Sequence, residues 1–202
     1  MKLILRCTLL AGVAGGQMRK ITDAEVMQVH RSAILIDTHN DVTGRTIDGF
    51  DIGKRAAEGH TDVPRLREGG VGATFFAAYV SARYVAQKQV AHRVLEAIDT
   101  IRHDIVGRNP GAFTLALTPG DIERVHKEGK IAALIGVEGG HAIEDSLRVL
   151  RTFYGLGARY MTLTHNNTNN WADSSGDINN PKVKHHNGLT EFGKEVVREM
   201  NR

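Results

Sequence analysis

Five short apolar runs punctuate the chain, and between them apolar residues recur at helical spacing. The runs are residues 33–38, "VGATFFAAYV" at 71–80 after the turn residues Gly69 and Gly70, "FTLAL" at 113–117, "IAALIGV" at 131–137 and "RYMTLT" at 159–164. Each has the length and residue types of a buried strand. The intervening stretches predict helices. Thr22 and Glu25 have capping-box spacing ahead of Val26 and Val29. Residues 85–106 carry Val90, Val94, Leu95, Ile98, Ile101 and Ile105 at close to helical period. Thr118, Pro119 and Asp121 supply a cap, a first-turn proline and a first-turn acid for a helix through Lys127, which Gly129 ends. "SLRVLRTFYGLG" predicts the next helix, and Thr190 opens another, "TEFGKEVVREMN".

Strictly alternating strands and helices imply an α/β fold, a parallel sheet covered by helices. Two architectures fit, an open doubly wound sheet and a (β/α)8 barrel. Four or five units fall short of a full eight-unit barrel of about 250 residues, so the chain reads as roughly the first half of one. No GxGxxG lies between a strand and a helix, and the "EGG" after the fourth strand lacks the P-loop lysine. The stretch 166–187 is rich in Asn, Asp, Ser and Gly, and a loop that long is functional or disordered.

Charge adds little. The 26 basic and 23 acidic residues leave a net +3 with no run of one sign, so nothing points to nucleic acid or an anionic membrane. A single cysteine, Cys7, excludes an internal disulfide and any multi-cysteine zinc site. The opening "MKLILRCTLLAGVAGGQ" has a basic start, an apolar run and small residues at Ala14, Gly15 and Gly16, the order of a secretory signal over residues 1–16, although Arg6 interrupts it. The run is too short for a transmembrane helix. Export and a cytoplasmic location both stay open, and residues 17–202 are expected to form one partial barrel domain.

The chemistry lies at strand ends. In "ILIDTHNDV", Asp37, His39 and Asp41 alternate, so an extended chain puts them on one face with Thr38 and Asn40 on the other. A histidine and a carboxylate two apart form a compact N,O pair for a divalent metal such as zinc. Glu138 follows the fourth strand directly, and His165 the fifth. Each alone has a plain alternative: turn-stabilising acids, an exposed acid, a surface histidine. Together, His39, Asp41, Glu138 and His165 stand at the carboxyl ends of parallel strands, where such folds place their sites.

Four blocks carry a resemblance: "IDTHNDV", "TDVPRLREGGVGATFFAAYV", "GVEGGHAIEDSLRVLRTFYGLGARYMTLTHNNTNNWADSS" and "GLTEFGKEVVREMNR". With these the chain, from about Ile21 onward, resembles the membrane (renal) dipeptidases, zinc metallopeptidases on a (β/α)8 barrel. The resemblance implies hydrolysis of dipeptides, often with a D-residue on the C-terminal side, by a zinc-activated water at a two-zinc site; some members also open β-lactams, and members can be homodimers. By position, it implies that His39 and Asp41 bind the first zinc and Glu138 bridges both metals. His165 would contact substrate and stabilise the tetrahedral intermediate. Asp37 is expected to orient His39 or brace the strand end. The histidines of the second metal, a substrate-binding arginine and a later acid lie past Arg202 in the family pattern, and His185 and His186 do not replace them. At most one zinc is therefore expected here, with unpaired edge strands, and an inactive remnant that binds one metal or pairs with a complementary chain is the alternative. Another amidohydrolase on the same barrel fits less well, since many use H-x-H where this chain has "HND".

Overall fold

The structure is a computed structural model that describes residues 19–202. Cys7 and the secretory-signal reading of residues 1–16 lie outside the described residues. The chain divides into two units, one ending at Ser32 and the other spanning Ala33–Arg202. In the first, α1 (Asp23–Ser32) opens on a capping box: the Thr22 hydroxyl accepts from the Glu25 amide, and the Glu25 carboxylate accepts from the Thr22 amide.

The second unit holds five parallel strands, β1 (Leu35–Asn40), β2 (Val71–Tyr79), β3 (Phe113–Leu115), β4 (Ile131–Glu138) and β5 (Ala158–Met161). β4 is central. It pairs along one edge with β2, which pairs in turn with β1. Its other edge is shared: β3 takes Ile131–Ala133, and β5 takes the stretch from Ile135 to Val137. Six further helices connect or follow the strands: α2 (Val42–Ile47), α3 (Val63–Glu68), α4 (Val90–Thr100), α5 (Pro119–Lys127), α6 (Leu147–Gly155) and α7 (Glu191–Met200). No described helix is long and apolar enough to cross a membrane.

β4 is aliphatic from Ile131 to Val137, Gly136 apart, because both of its faces are covered there. Ile131, Ala133, Ile135 and Val137 join Phe76 and Ala78 of β2 in a core with Val94, Ile98, Phe153 and Val196 from the helices. The alternate residues Ala132 and Leu134 pack with Ala73 of β2 and Val125 of α5. Gly136 and Glu138 continue that second face by strand alternation.

The long helix expected over 85–106 begins only at Val90. Ala82–Tyr84 form a single 3-10 turn, and Lys88 has φ +51°, which ends any helical path into α4. Beyond Thr100 the helix widens to π geometry over Ile101–Gly107, and this keeps Ile101 and Ile105 fully buried. Leu95, counted with the apolar stripe, is 41% exposed. α2 and α3 were not anticipated. For α3 the signal was present, an Asp62 cap followed by Pro64 in the first turn.

The loop at 166–187 is built on its own polar side chains. Asn169 Oδ1 accepts from the amides of Trp171 and Ala172, Asp173 accepts from those of His186 and Gly188, and Asp177 accepts from that of Thr168. Its Asn and Asp content therefore satisfies backbone donors that lack ladder partners.

Candidate metal centre

Three side chains converge from separate parts of the chain: His39 in β1, Asp41 at the start of α2 and Glu138 at the end of β4. One ligand atom from each lies within 4.8 Å of the others. His39 Nε2 is 3.3 Å from Asp41 Oδ1 and 3.3 Å from Glu138 Oε2. His165 joins from the other side, its Nε2 3.5 Å from Glu138 Oε1 and its ring 4.9 Å from that of Tyr79. Beside them is a cavity of about 340 Å³ that Asp41, Thr43, Tyr79, Glu138 and His165 help to line.

The local sequence explains each placement. β1 stops at Asn40, so Asp41 turns out of the strand with φ −86° and ψ 7°. It occupies the capping position of α2, yet its side chain makes no capping bond, which leaves the carboxylate free to face His39. The single extended face expected for Asp37, His39 and Asp41 is thus not the one observed. Asp37 instead accepts from the His39 amide at 3.1 Å and from the Asn40 side chain at 2.8 Å. It braces the strand end and is not bonded to the His39 ring.

Glu138 is followed by Gly139 at φ +102°, a conformation open to glycine, whose amide donates to Thr162 Oγ1 at 2.7 Å. A Cβ on Gly140 would sit 2.3 Å from the Leu163 carbonyl and 2.4 Å from the Trp171 ring. The two glycines let the chain turn tightly between β5 and the loop. His141 then fastens the turn: its Nε2 donates to the Val80 carbonyl at 2.9 Å, and burial pushes its pKa down, which favours the neutral ring. His165 lies four residues past the end of β5, where its carbonyl accepts from the Ser174 hydroxyl.

Tyr160 was missed from sequence, where an aromatic residue inside a strand reads as core. Its hydroxyl lies 2.7 Å from His39 Nδ1. β1 and β5 are separated by β2 and β4, so a flat sheet would hold them about 14 Å apart. Side chains from both ends meet only because the sheet is strongly concave, as in a barrel wall. Burial, and then the charges of Glu138, Asp41 and Asp37, push the Tyr160 phenol up to about 12, so it keeps its proton.

The donor set fits a divalent metal. Zinc–nitrogen and zinc–oxygen bonds of about 2.0–2.2 Å place tetrahedral neighbours about 3.4 Å apart. The two 3.3 Å separations match that edge and exceed the about 2.9 Å of a direct N–H···O bond. One imidazole and two carboxylates also suit a borderline cation.

The family model described as "Membrane dipeptidase (Peptidase family M19)" matches residues 23–202. The chain belongs to the membrane dipeptidase family. It is 39% identical over 178 residues to Dipeptidase 3 of Homo sapiens, a match covering 85% of this chain and 35% of the human protein. It is also 39% identical over 184 residues to Dipeptidase verJ of Clonostachys rogersoniana, covering 83% of this chain and 46% of that one. The chain thus spans a third to a half of the length of these membrane dipeptidase relatives. Among solved structures, the dipeptidase AC, a family M19 metallopeptidase, superposes with a TM-score of 0.68 at 25% identity, over 83% of this chain and 53% of its own. A metallopeptidase from Rhodobacter sphaeroides, liganded with a phosphinate mimic of the dipeptide L-Ala-D-Ala, gives a TM-score of 0.68 at 24% identity, over 83% and 56%. The concave parallel sheet described above is therefore the TIM-barrel-like wall of the membrane dipeptidases, of which this chain supplies about half.

Proposed function

We propose that the protein functions as a zinc-dependent dipeptidase, with His39, Asp41 and Glu138 as metal ligands and His165 facing the substrate. The observation that carries this reading is the convergence of one imidazole and two carboxylates, with the imidazole nitrogen 3.3 Å from each carboxylate, the edge length of a metal shell. Zinc held there supplies Lewis-acid polarisation of a carbonyl and brings the pKa of water toward neutrality.

The chain's own residues do the rest. His39 in the tautomer that leaves a lone pair on Nε2 carries its proton on Nδ1 and donates it to the Tyr160 oxygen. Asp41 and Glu138 supply the anionic charge that a dication requires. Glu138 directs Oε2 to His39 and Oε1 to His165, so it would hold the metal beside His39 while its other oxygen stays next to the substrate-facing histidine. His165 Nε2 stands at the cavity side of Glu138, where it can donate to the oxygen of a tetrahedral centre. The dipeptide substrate is supported by the names of the relatives.

Zinc per chain, measured after dialysis by inductively coupled plasma mass spectrometry, tests the site. Wild type is expected to retain zinc, and His39→Ala and Glu138→Gln to lose it. Equal metal in wild type and His39→Ala would remove His39 as a ligand. Release of amino acids from a dipeptide, abolished by Glu138→Gln, tests the reaction. Bound zinc with no turnover in wild type would favour the second reading, a metal-binding chain without catalysis.

A further inference from the structure

We infer that Tyr160 is a positioning residue for His39, holding the imidazole so that Nε2 faces the two carboxylates, and that Gly136 is the seat that places Tyr160. This rests on the reading of His39 as a metal ligand. The need for such a residue is physical. His39 sits one residue from the end of β1 with its side chain 36% exposed, so the backbone fixes its Cα but not the rotation of its ring. Metal-binding histidines are ordinarily oriented by a hydrogen bond at the second ring nitrogen. Asp37, the nearest candidate by sequence, commits its oxygens to the His39 amide and the Asn40 side chain. Nδ1 donates instead to the Tyr160 oxygen, at 2.7 Å, with the two rings 23° from parallel.

The position of the Tyr160 hydroxyl is itself determined by the sheet. Tyr160 pairs with Gly136 in the β4–β5 register. A Cβ on Gly136 would lie 2.1 Å from Tyr160 Cζ and 2.5 Å from Cε1 and Cε2. The ring therefore lies flat across the backbone of β4, in space that any other residue at 136 would fill. On the next strand Phe75 holds it from the far side, with ring centroids 5.0 Å apart. From that clamp the hydroxyl projects to β1. A glycine in the middle of an aliphatic strand weakens it, and the seat for Tyr160 is the reason for this one.

The test measures zinc affinity by competition with a chromophoric chelator, the visible spectrum of the cobalt-loaded chain, and the unfolding midpoint of the metal-free chain. Tyr160→Phe keeps the ring and removes only the hydroxyl. It is expected to weaken zinc binding about 10- to 100-fold and to shift the cobalt bands, with the metal-free midpoint lowered only slightly, by the loss of one hydrogen bond. Gly136→Ala, which displaces the ring and keeps the hydroxyl, is expected to reproduce the loss of affinity. Affinity and cobalt spectrum in Tyr160→Phe identical to those of the parent would overturn the proposal while leaving the metal site intact. Zinc binding in the parent that does not depend on His39 would overturn the site reading, and the proposal with it.

Discussion

Gly136→Ala puts two opposing effects in direct competition. The backbone at 136 is not in the left-handed region, so alanine is conformationally allowed there. A Gly→Ala change at a compatible position stabilises by about 0.4–1 kcal/mol, mostly by restricting the unfolded chain. Against this, the new Cβ starts 2.1 Å from Tyr160 Cζ, where ordinary contact begins at 3.4 Å, so the ring must move by about 1.3 Å, the difference between the two. Phe75 blocks one side, and the same displacement stretches the 2.7 Å bond to His39 beyond hydrogen-bond range. Overpacking costs about 1–3 kcal/mol, and the lost hydrogen bond about 1 more. The net expectation is destabilisation of about 1–3.5 kcal/mol, read from urea unfolding of the metal-free chain. In a Tyr160→Ala background the same change should become neutral or mildly stabilising, because its collision partner is gone. Gly136→Ala as stable as the parent, or equally costly in both backgrounds, would refute the seat.

Two further outcomes follow from the caps. Asp62 is fully buried and bonded to the Arg65 side chain and to the amides of Ala56 and Arg65. The Arg65 guanidinium holds its carboxyl well below the usual carboxylate range. A carboxyl with a lower pKa folded than unfolded stabilises fully above its unfolded value of about 4 and loses that contribution as pH falls toward the folded value. Asp62→Asn, which keeps a capping oxygen, should lower the melting temperature at pH 7 and flatten its fall below pH 4; an unchanged acid slope would show that Asp62 is not the group responsible. Thr118→Ala removes one arm of the α5 capping box and should cost about 1 kcal/mol in chemical denaturation, with Thr118→Ser recovering most of it.

The sequence by itself determined most of the elements and the positions from which the site is assembled. Thr22, Thr118, Ser146 and Thr190 mark helix starts because a side-chain oxygen meeting the free amides of a first turn is a local event, decided within four residues. The placement of His39, Asp41, Glu138 and His165 at strand ends was equally legible, since parallel strands bring their carboxyl ends to one rim. What failed was local as well: the helix expected from Val85 was interrupted by the turn at Lys88, which apolar periodicity cannot register.

Only the tertiary structure decided which neighbours act on the site. Asp37 lies two residues from His39 yet bonds the strand backbone, whereas Tyr160, 121 residues away, bonds the ring. Sequence distance says nothing about curvature, and it is the curvature of the sheet that carries β5 side chains over β4 and β2 to β1. Gly136 shows the same division: its identity is plain in the chain, but its reason appears only when the Tyr160 ring is found lying across it. Local hydrogen bonding can be read along the chain; convergence across a curved sheet depends on every strand between.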